Sequence, residues 1–380
     1  MSAETVFTNA RIVLEDAIVE GTLVIRDGRI AEISEGNTGT GEDFGGDLLI
    51  PGLVELHTDH LEGHYAPRPG VRWNKTAAIQ AHDAQVAASG ITTVFDCLRM
   101  GADDTDGFEA GEMRAMADAI INAEKEDRLR AQHFLHLRCE VSAANVMDHF
   151  AAFEDDPHVR LASLMDHAPG QRQFADLQQY RRYYKPKHAL DDDAFERFIA
   201  RRQAASATYA EKHRQMISNH CAARGIAVAS HDDAVLAHVE EALGHGVRIA
   251  EFPTSFEAAK ASHAAGLSVL MGAPNVVRGK SHSGNIAARD LAAAGVLDVL
   301  SSDYVPFSLL HAPFILADDE TVGISLPQAL SMVTATPAHA VGLEDRGRIA
   351  PGLRADLVRV RRTDDVPVVG AVFRAGKRVA

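Results

Sequence analysis

A parallel (β/α)8 barrel, carrying a small β-sandwich domain built from both chain termini, is the fold this sequence predicts. Three observations carry that expectation. Eight short apolar runs recur through the middle of the chain, separated by segments with helical spacing. Strand–helix alternation repeated that often closes a barrel more readily than it fills an open sheet. β-rich runs occupy both ends instead, and 380 residues accommodate a barrel of ~250 residues with a smaller unit beside it.

Residues 1–50 supply the first part of the small domain. TVFTNARIVL, AIVEGTLVIR and RIAEISEG are short β-rich runs, with Asp27-Gly28 as a hairpin signal between the last two. Residues 344–380 look alike, with ADLVRV followed by VPVVGAVFRAGKRVA and a turn near Gly376-Lys377. One β domain assembled from both termini accounts for them; two unrelated flaps are the alternative. Residues 51–343 form the barrel. Its runs are LVELH (53–57), ITTVFD (91–96), HFLHLRCE (133–140), VRLASLMDH (159–167), IAVASH (226–231), VRIAEF (247–252), LSVLMG (267–272) and LDVLSSD (297–303). Among the intervening segments, DDAVLAHVEEALGHG places Leu236, Val239 and Leu243 on one helical face, opened by the acidic pair and closed by glycine. One connection is oversized, with an insertion over about residues 171–223. An insertion on a βα connection lies over the barrel mouth, so a lid is one reading. A helical outgrowth or a homodimer contact is the other.

Composition narrows the function. Lys and Arg number 38 against 53 Asp and Glu, a net charge of −15. That balance disfavours nucleic acid and anionic membrane surfaces as partners, since no general attraction to phosphate is available. A small anionic substrate remains open if its site is locally positive. Cys97, Cys139 and Cys221 are too few and too scattered for a disulfide framework or a cysteine-based zinc site. MSAETVFTNARIVLED has no cationic start followed by an apolar run, so a soluble cytoplasmic enzyme is expected.

The polar residues gather at strand ends. His57 and Asp59 follow LVEL, Glu140 follows HFLHLRC, and His167 follows LASLMD; His231 follows IAVAS, and Asp303 follows LDVLSS. Catalytic groups of barrels converge at the C-terminal ends of strands. Residues i and i+2 of a strand share a face, so His57 and Asp59 can reach a common ion. Three imidazoles and three carboxylates suit Zn²⁺, Mn²⁺ or Fe²⁺, with carboxylates able to bridge two ions. A single histidine would carry little weight in a chain with 19 of them; six such residues on five strand ends carry more.

These motifs resemble the amidohydrolase superfamily. PGLVELHTD (51–59) is similar to its first-strand signature, while TATPAHAVGL (334–343) and GRIAPGLRADLVRV (347–360) are similar to its closing segment. A closer resemblance is to the PhnM-type branch of bacterial phosphonate metabolism. It rests on HTDHLEGHYAPRPGVRW (57–73), SGITTVFD (89–96), LHLRCE (135–140), SLMDHAPGQRQF (163–174), ASHDDA (229–234), AEFPTSFEAA (250–259), MGAPNVVRGKSHSGN (271–285) and LSSDY (300–304). The resemblance implies hydrolysis of α-D-ribose 1-methylphosphonate 5-triphosphate to the 5-phosphate and pyrophosphate, with a divalent metal, zinc foremost, as one ion or two. Asp59 stands where the superfamily usually has a second histidine. No lysine ends strands three or four, which leaves Glu140 as the bridging candidate. Strand six ends in Glu251-Phe252-Pro253 rather than histidine, and His167 is expected to stand in. His60 and His64 are expected to support the first motif or serve structure alone. Asp303 is expected to accept the proton of the attacking water.

A polyphosphate needs local positive charge. QRQFADLQQYRRYYKPKHAL (171–190) has Arg172, Arg181, Arg182, Lys185 and Lys187 against Asp176 alone, a local charge of +4. VVRGKSHSGN adds Arg278, Lys280, His282 and Ser283 after strand seven, where barrels frequently bind phosphate. Arg172 and Arg278 are read as phosphate contacts; Arg181 to Lys187 are read as a solvated helix face. Two other functions stay open: hydrolysis of an amide, as by an N-acyl amino acid deacylase, and a metal-free barrel acting as a scaffold.

Overall fold

The computed structural model describes residues 4–101, 111–172, 177–188, 191–281 and 284–380. The β-rich ends pair with each other before either meets the barrel. From the N-terminal segment come β1 (Glu4–Val13), β2 (Ile18–Arg26), β3 (Arg29–Glu35), β4 (Glu42–Asp43) and β5 (Leu48–Pro51). Asp27 and Gly28 both take positive φ (51° and 76°), the two-residue turn whose twist matches its flanking strands. The apolar face of this sheet closes over Phe7, whose ring lies 4.8 Å from Phe44 and 4.7 Å from Phe373 between centroids.

The chain enters the barrel directly from β5 through Gly52. A side chain there is sterically barred, because a Cβ would sit 2.2 Å from Thr92 Oγ1 on the second barrel strand. The barrel strands are β6 (Leu53–Thr58), β7 (Ile91–Met100), β8 (Gln132–Glu140), β9 (Val159–Met165), β10 (Ala227–His231), β11 (Ile249–Glu251), β12 (Ser268–Gly272) and β13 (Val299–Ser301). They pair in sequence order and in parallel, and each begins within a few residues of its predicted apolar run. The C-terminal segment returns as β14 (Leu357–Arg361), β15 (Val368–Arg374) and β16 (Lys377–Arg378). The terminal sheet thus runs β16-β15-β14-β5-β1-β2-β3, with β4 also on β1, and is one mixed sheet from both termini.

The barrel is stitched shut at its mouth. Asp303 N–H donates to the His57 carbonyl at 3.1 Å and Asp59 N–H donates to the Asp303 carbonyl at 3.0 Å. Glu55, buried inside an apolar run, accepts from the backbone N–H of His57 (2.6 Å) and of Ser302 (2.5 Å), joining β6 to the far edge. Burial pushes the Glu55 carboxyl up to about 7. At the opposite end Val54, Leu56, Phe95, Leu161, Ala229, Ile249, Leu270 and Val299 fill the lumen against Ala338 and Val341. The barrel interior is a packed core there, not a channel.

The oversized connection is a helical hairpin. Helix Leu177–His188 is followed by Asp192–Arg224, 33 residues long, with the Asp191 side chain accepting from Ala194 N–H and Gly225 ending it at φ 67°. The long helix has two jobs. Ala210, Ile217 and Cys221 join the core around the barrel, while Phe195, Phe198 and Ile199 cluster with Tyr180 of the shorter helix. At the junction Arg202 reaches to 3.9 Å from Glu140, so the hairpin touches the barrel mouth. The expected core face of helix Leu236–Gly244 is different from that observed. Val239 and Ala242 are buried, whereas Leu236 and Leu243 are 46% and 44% exposed. The acidic pair does not open that helix either: its N-cap is Val235, and Asp232 and Asp233 turn toward the strand ends.

Candidate metal centre

Side chains two residues apart on a strand share a face, so each lumen-facing apolar residue is followed by another lumen position nearer the mouth. Above Phe95, Leu161, Ala229 and Ile249 come Cys97, Ser163, His231 and Glu251, joined by His136 from β8 and His57 from β6. This second layer is polar and buried: His57, His136, Ser163 and Glu251 are each at most 1% exposed. Glu251 lies at its centre. His57 Nδ1 is 3.3 Å from one Glu251 carboxylate oxygen, and Ser163 Oγ donates to the other at 2.6 Å. His57 and His231 rings are 5.8 Å apart between centroids, and His231 and His167 are 5.6 Å apart.

The donor set fits a divalent ion. His57, His231 and Glu251 offer ligand atoms within 4.8 Å of one another, and so do His167, His231 and Asp232, the two groups sharing His231. Imidazole nitrogens and carboxylate oxygens held this way are the ligands such cations take. Electrostatics favour a cation here. Burial alone would raise the Glu251 carboxyl, but His57 and then His136 bring it below its usual range. Burial likewise opposes ionisation of Asp232, and His231 outweighs it. At His57 burial disfavours charge, while Cys97 and Glu251 raise its pKa. Glu251 is the partner that matters, because burial pushes the Cys97 thiol up to about 11 and keeps it protonated. His136 is the neutral member, lowered to about 3 by burial, with Nδ1–H donating to the Leu56 carbonyl at 2.8 Å.

Of the residues singled out from sequence, His57, His167 and His231 meet in these groups. Glu140 lies behind His167, 2.7 Å from its Nδ1, and accepts from His167 N–H at 3.1 Å. Asp59 departs from the expected geometry. The i, i+2 rule ends with β6 at Thr58, and Asp59 is the residue before helix His60–Tyr65, with its carboxylate on Arg138. Asp303 takes φ 53° at the seam, bonded through its backbone to both His57 and Asp59. The reading of Arg172 meets a physical obstacle. It is 4% exposed and its guanidinium is paired with Asp233 and Glu241. Arg278 and Lys280 are exposed, at the C-terminal end of helix Ala273–Arg278, which leaves β12 at the mouth. His282, Ser283, Asp176 and the side chain of Lys187 lie outside the described residues.

Sequence reasoning passed over Asp232 as a site residue and noticed Glu251 only as a departure. The signal for both was present. Asp232 directly follows a strand-end histidine in SHDD, and Glu251 is the last residue of β11, the same rule that selected the others.

The model of the amidohydrolase family matches residues 66–369. The chain is 46% identical, over 98% of its length and 100% of the relative's, to the alpha-D-ribose 1-methylphosphonate 5-triphosphate diphosphatase of Escherichia coli (strain K12). It is 25% identical over 100% of both chains to an imidazolonepropionase of Streptomyces coelicolor. Among solved structures, N-acetylglucosamine-6-phosphate deacetylase from Pasteurella multocida superposes with a TM-score of 0.66 at 14% identity, covering 99% of each chain. That last likeness speaks to the fold. A barrel opening directly from a two-ended β-sheet, imidazoles and carboxylates on its strand ends, and a family match over most of the chain lead to one assignment: this protein belongs to the amidohydrolase family.

Proposed function

We propose that this chain is a metal-dependent diphosphatase that hydrolyses α-D-ribose 1-methylphosphonate 5-triphosphate to the 5-phosphate and pyrophosphate. The observation that carries the reading is the full-length 46% identity to the Escherichia coli enzyme of that name. The mouth of the barrel supports it: a buried imidazole–carboxylate set is joined to a face bearing exposed Arg278 and Lys280.

His57, His231 and Glu251 would hold one divalent cation, zinc foremost, and His167 with Asp232 would extend the site around the shared His231. When bound, such a cation lowers the pKa of water toward ~7 and polarises phosphoryl oxygen. The chain's own residues do the rest. Glu140 fixes the His167 ring through Nδ1 and so presents the opposite nitrogen to the lumen. Arg138 holds Asp59 ionised at the rim; burial alone would raise that carboxyl, and the guanidinium outweighs it. Asp303 carries the proton, accepting it from water at its carboxylate and passing it on, and its strained backbone is fixed by bonds to β6. Arg278 and Lys280 neutralise the departing polyphosphate, Arg by a forked contact and Lys as a point charge.

The hairpin Leu177–His188 with the first half of Asp192–Arg224 serves as the cover of this mouth, through Arg202 beside Glu140. Among the described residues no helix is long and apolar enough to cross a membrane. Three buried free thiols, Cys97, Cys139 and Cys221, suit the reducing cytoplasm. The deciding experiment is product identification: purified enzyme with the triphosphate should release pyrophosphate only with divalent metal present. Release of free amine from N-acyl amino acids, without pyrophosphate from the triphosphate, would replace this reading by amide hydrolysis.

A further inference from the structure

Neighbours on a strand point to opposite faces, and β7 uses this to build two sites back to back. Cys97 faces the lumen beside His136. Asp96, the residue before it, faces outward and accepts from His82 Nε2 at 2.9 Å and from His133 Nδ1 at 2.7 Å. His82 belongs to helix Lys75–Ala88, whose buried stripe (Ala78, Ile79, His82, Asp83, Val86) packs onto the outside of the barrel.

The Nε2 of His82 is spent on Asp96, and its Nδ1 is buried with no hydrogen-bond partner. Helix His60–Tyr65 meets it there with two more imidazoles, one turn apart and therefore on one face. His60 Nδ1 is likewise buried and without a partner. His64 uses Nε2 on Gln85 Oε1 at 3.2 Å, which leaves its Nδ1 as a lone-pair donor. The ring centroids are separated by 4.8, 6.0 and 6.1 Å, and one ligand atom from each residue lies within 4.8 Å of the others.

We propose that His60, His64 and His82 form a second metal site, a three-imidazole pocket for Zn²⁺ or a similar divalent transition metal on the outer face of the barrel wall. The chemistry of the surroundings agrees. A carboxylate on the far nitrogen of a ligating histidine fixes its tautomer and ring orientation, and Asp96 does this for His82. Asp96 is anchored in turn through His133 to Asp83, which accepts from the backbone N–H of Arg130 (2.8 Å) and Ala131 (2.9 Å). Burial, then His82, lowers the pKa of His64, a shift in the direction of the neutral form that ligates. Tetrahedral zinc with nitrogens at ~2.05 Å wants them ~3.3 Å apart, so modest ring rotations close the pocket and leave a fourth position for water. The ion would pin the connection after β6 to the next helix, immediately beyond Asp59.

The test counts metal and locates it. Metal-stripped protein is titrated with Zn²⁺, desalted and analysed for bound equivalents, in the native chain, His60→Gln and His64→Gln. Both substitutions fall on partly exposed positions of a surface helix. Each variant should bind one equivalent fewer than the native chain, and the rise in Tm produced by Zn²⁺ should shrink in both. Co²⁺ in the native chain should give visible absorption of a tetrahedral nitrogen site, part of which disappears in the variants. Crystals of the native protein soaked in Zn²⁺ should show an anomalous peak between the three rings, a readout that needs no variant. Equal zinc counts in all three proteins, or no peak among these rings while the barrel mouth is occupied, would overturn the proposal.

Discussion

Glu251→Gln is the sharpest perturbation of the barrel mouth, because it changes one charge and almost no volume. Its carboxylate is 1% exposed, with His57 Nδ1 at 3.3 Å on one oxygen and Ser163 Oγ at 2.6 Å on the other. The amide keeps an oxygen for Ser163 but cannot be an anionic ligand. Losing one charge-assisted contact costs about 1.5–3 kcal/mol. At 1.4 kcal/mol per decade that weakens metal binding by about 10–10²-fold. Competition against a chelator of known affinity reads this directly, and turnover at limiting metal should fall in parallel. The metal-free protein offers a separate measure. There Glu251 is the counter-ion of His57, and removing one partner of a buried pair costs about 3–5 kcal/mol in unfolding free energy. Denaturant unfolding in the presence of chelator checks it. A variant with native metal affinity and native turnover would remove Glu251 from the centre and return the strand-six position to His167 alone.

The remaining predictions address charge elsewhere. His133 is buried between Asp96 and Asp83; burial opposes its charge, Asp96 outweighs it, and its pKa is raised to about 10. A group raised above its unfolded value of ~6.5 stabilises fully below that pH and loses the contribution as pH rises toward 10. Unfolding free energy should therefore fall between pH 7 and 10, and His133→Gln should flatten the decline; parallel profiles would refute the assignment. Arg172→Ala should cost about 3 kcal/mol in denaturant unfolding by leaving Asp233 buried and unpaired, and a loss below ~1 kcal/mol would point back to a phosphate contact. Arg278→Ala should lower kcat/KM for the triphosphate by about 10²-fold with metal content intact; an equal loss on triphosphate, diphosphate and monophosphate forms would count against a polyphosphate site. Asp303→Asn should cut turnover by about 10²–10⁴-fold with little change in substrate binding, and near-native turnover would take Asp303 out of proton transfer.

The barrel was legible because its strands are buried on both faces and read as continuous apolar runs, so each of the eight could be found without knowing its neighbours. The turn at Asp27-Gly28 was legible for a local reason too, since only a few residue types accept two positive φ values in succession. What escaped depends on distant partners. Leu236 and Leu243 have the spacing of a core face, yet the barrel meets that helix at Val239 and Ala242. Asp59 follows His57 by two residues, but the strand stops between them and Arg138, 79 residues away, claims the carboxylate. Glu251 was seen as the place where a histidine should be; that it is the hub of the lumen follows only once β9 brings Ser163 beside it.

Charge shows the same division. The basic segment after β9 reads as a reservoir for phosphate, but three of its five cations find acids close by. Arg172 pairs with Asp233 and Glu241, Arg181 with Glu196, and Lys185 with Asp192. Asp192 and Glu196 lie on the next helix, so the hairpin neutralises itself as it folds, and its net effect on a ligand is far smaller than its composition suggests. Screening confines what is left to roughly 8 Å at physiological salt. A chain at −15 therefore cannot gather a triphosphate from a distance. Under the proposed function it would hold one by contact, between a cation bound by His57, His231 and Glu251 on one side and exposed Arg278 and Lys280 on the other. Substrates lacking the polyphosphate would meet only half of that arrangement, and discrimination then arises from the span between the two charges rather than from the charge of the protein as a whole.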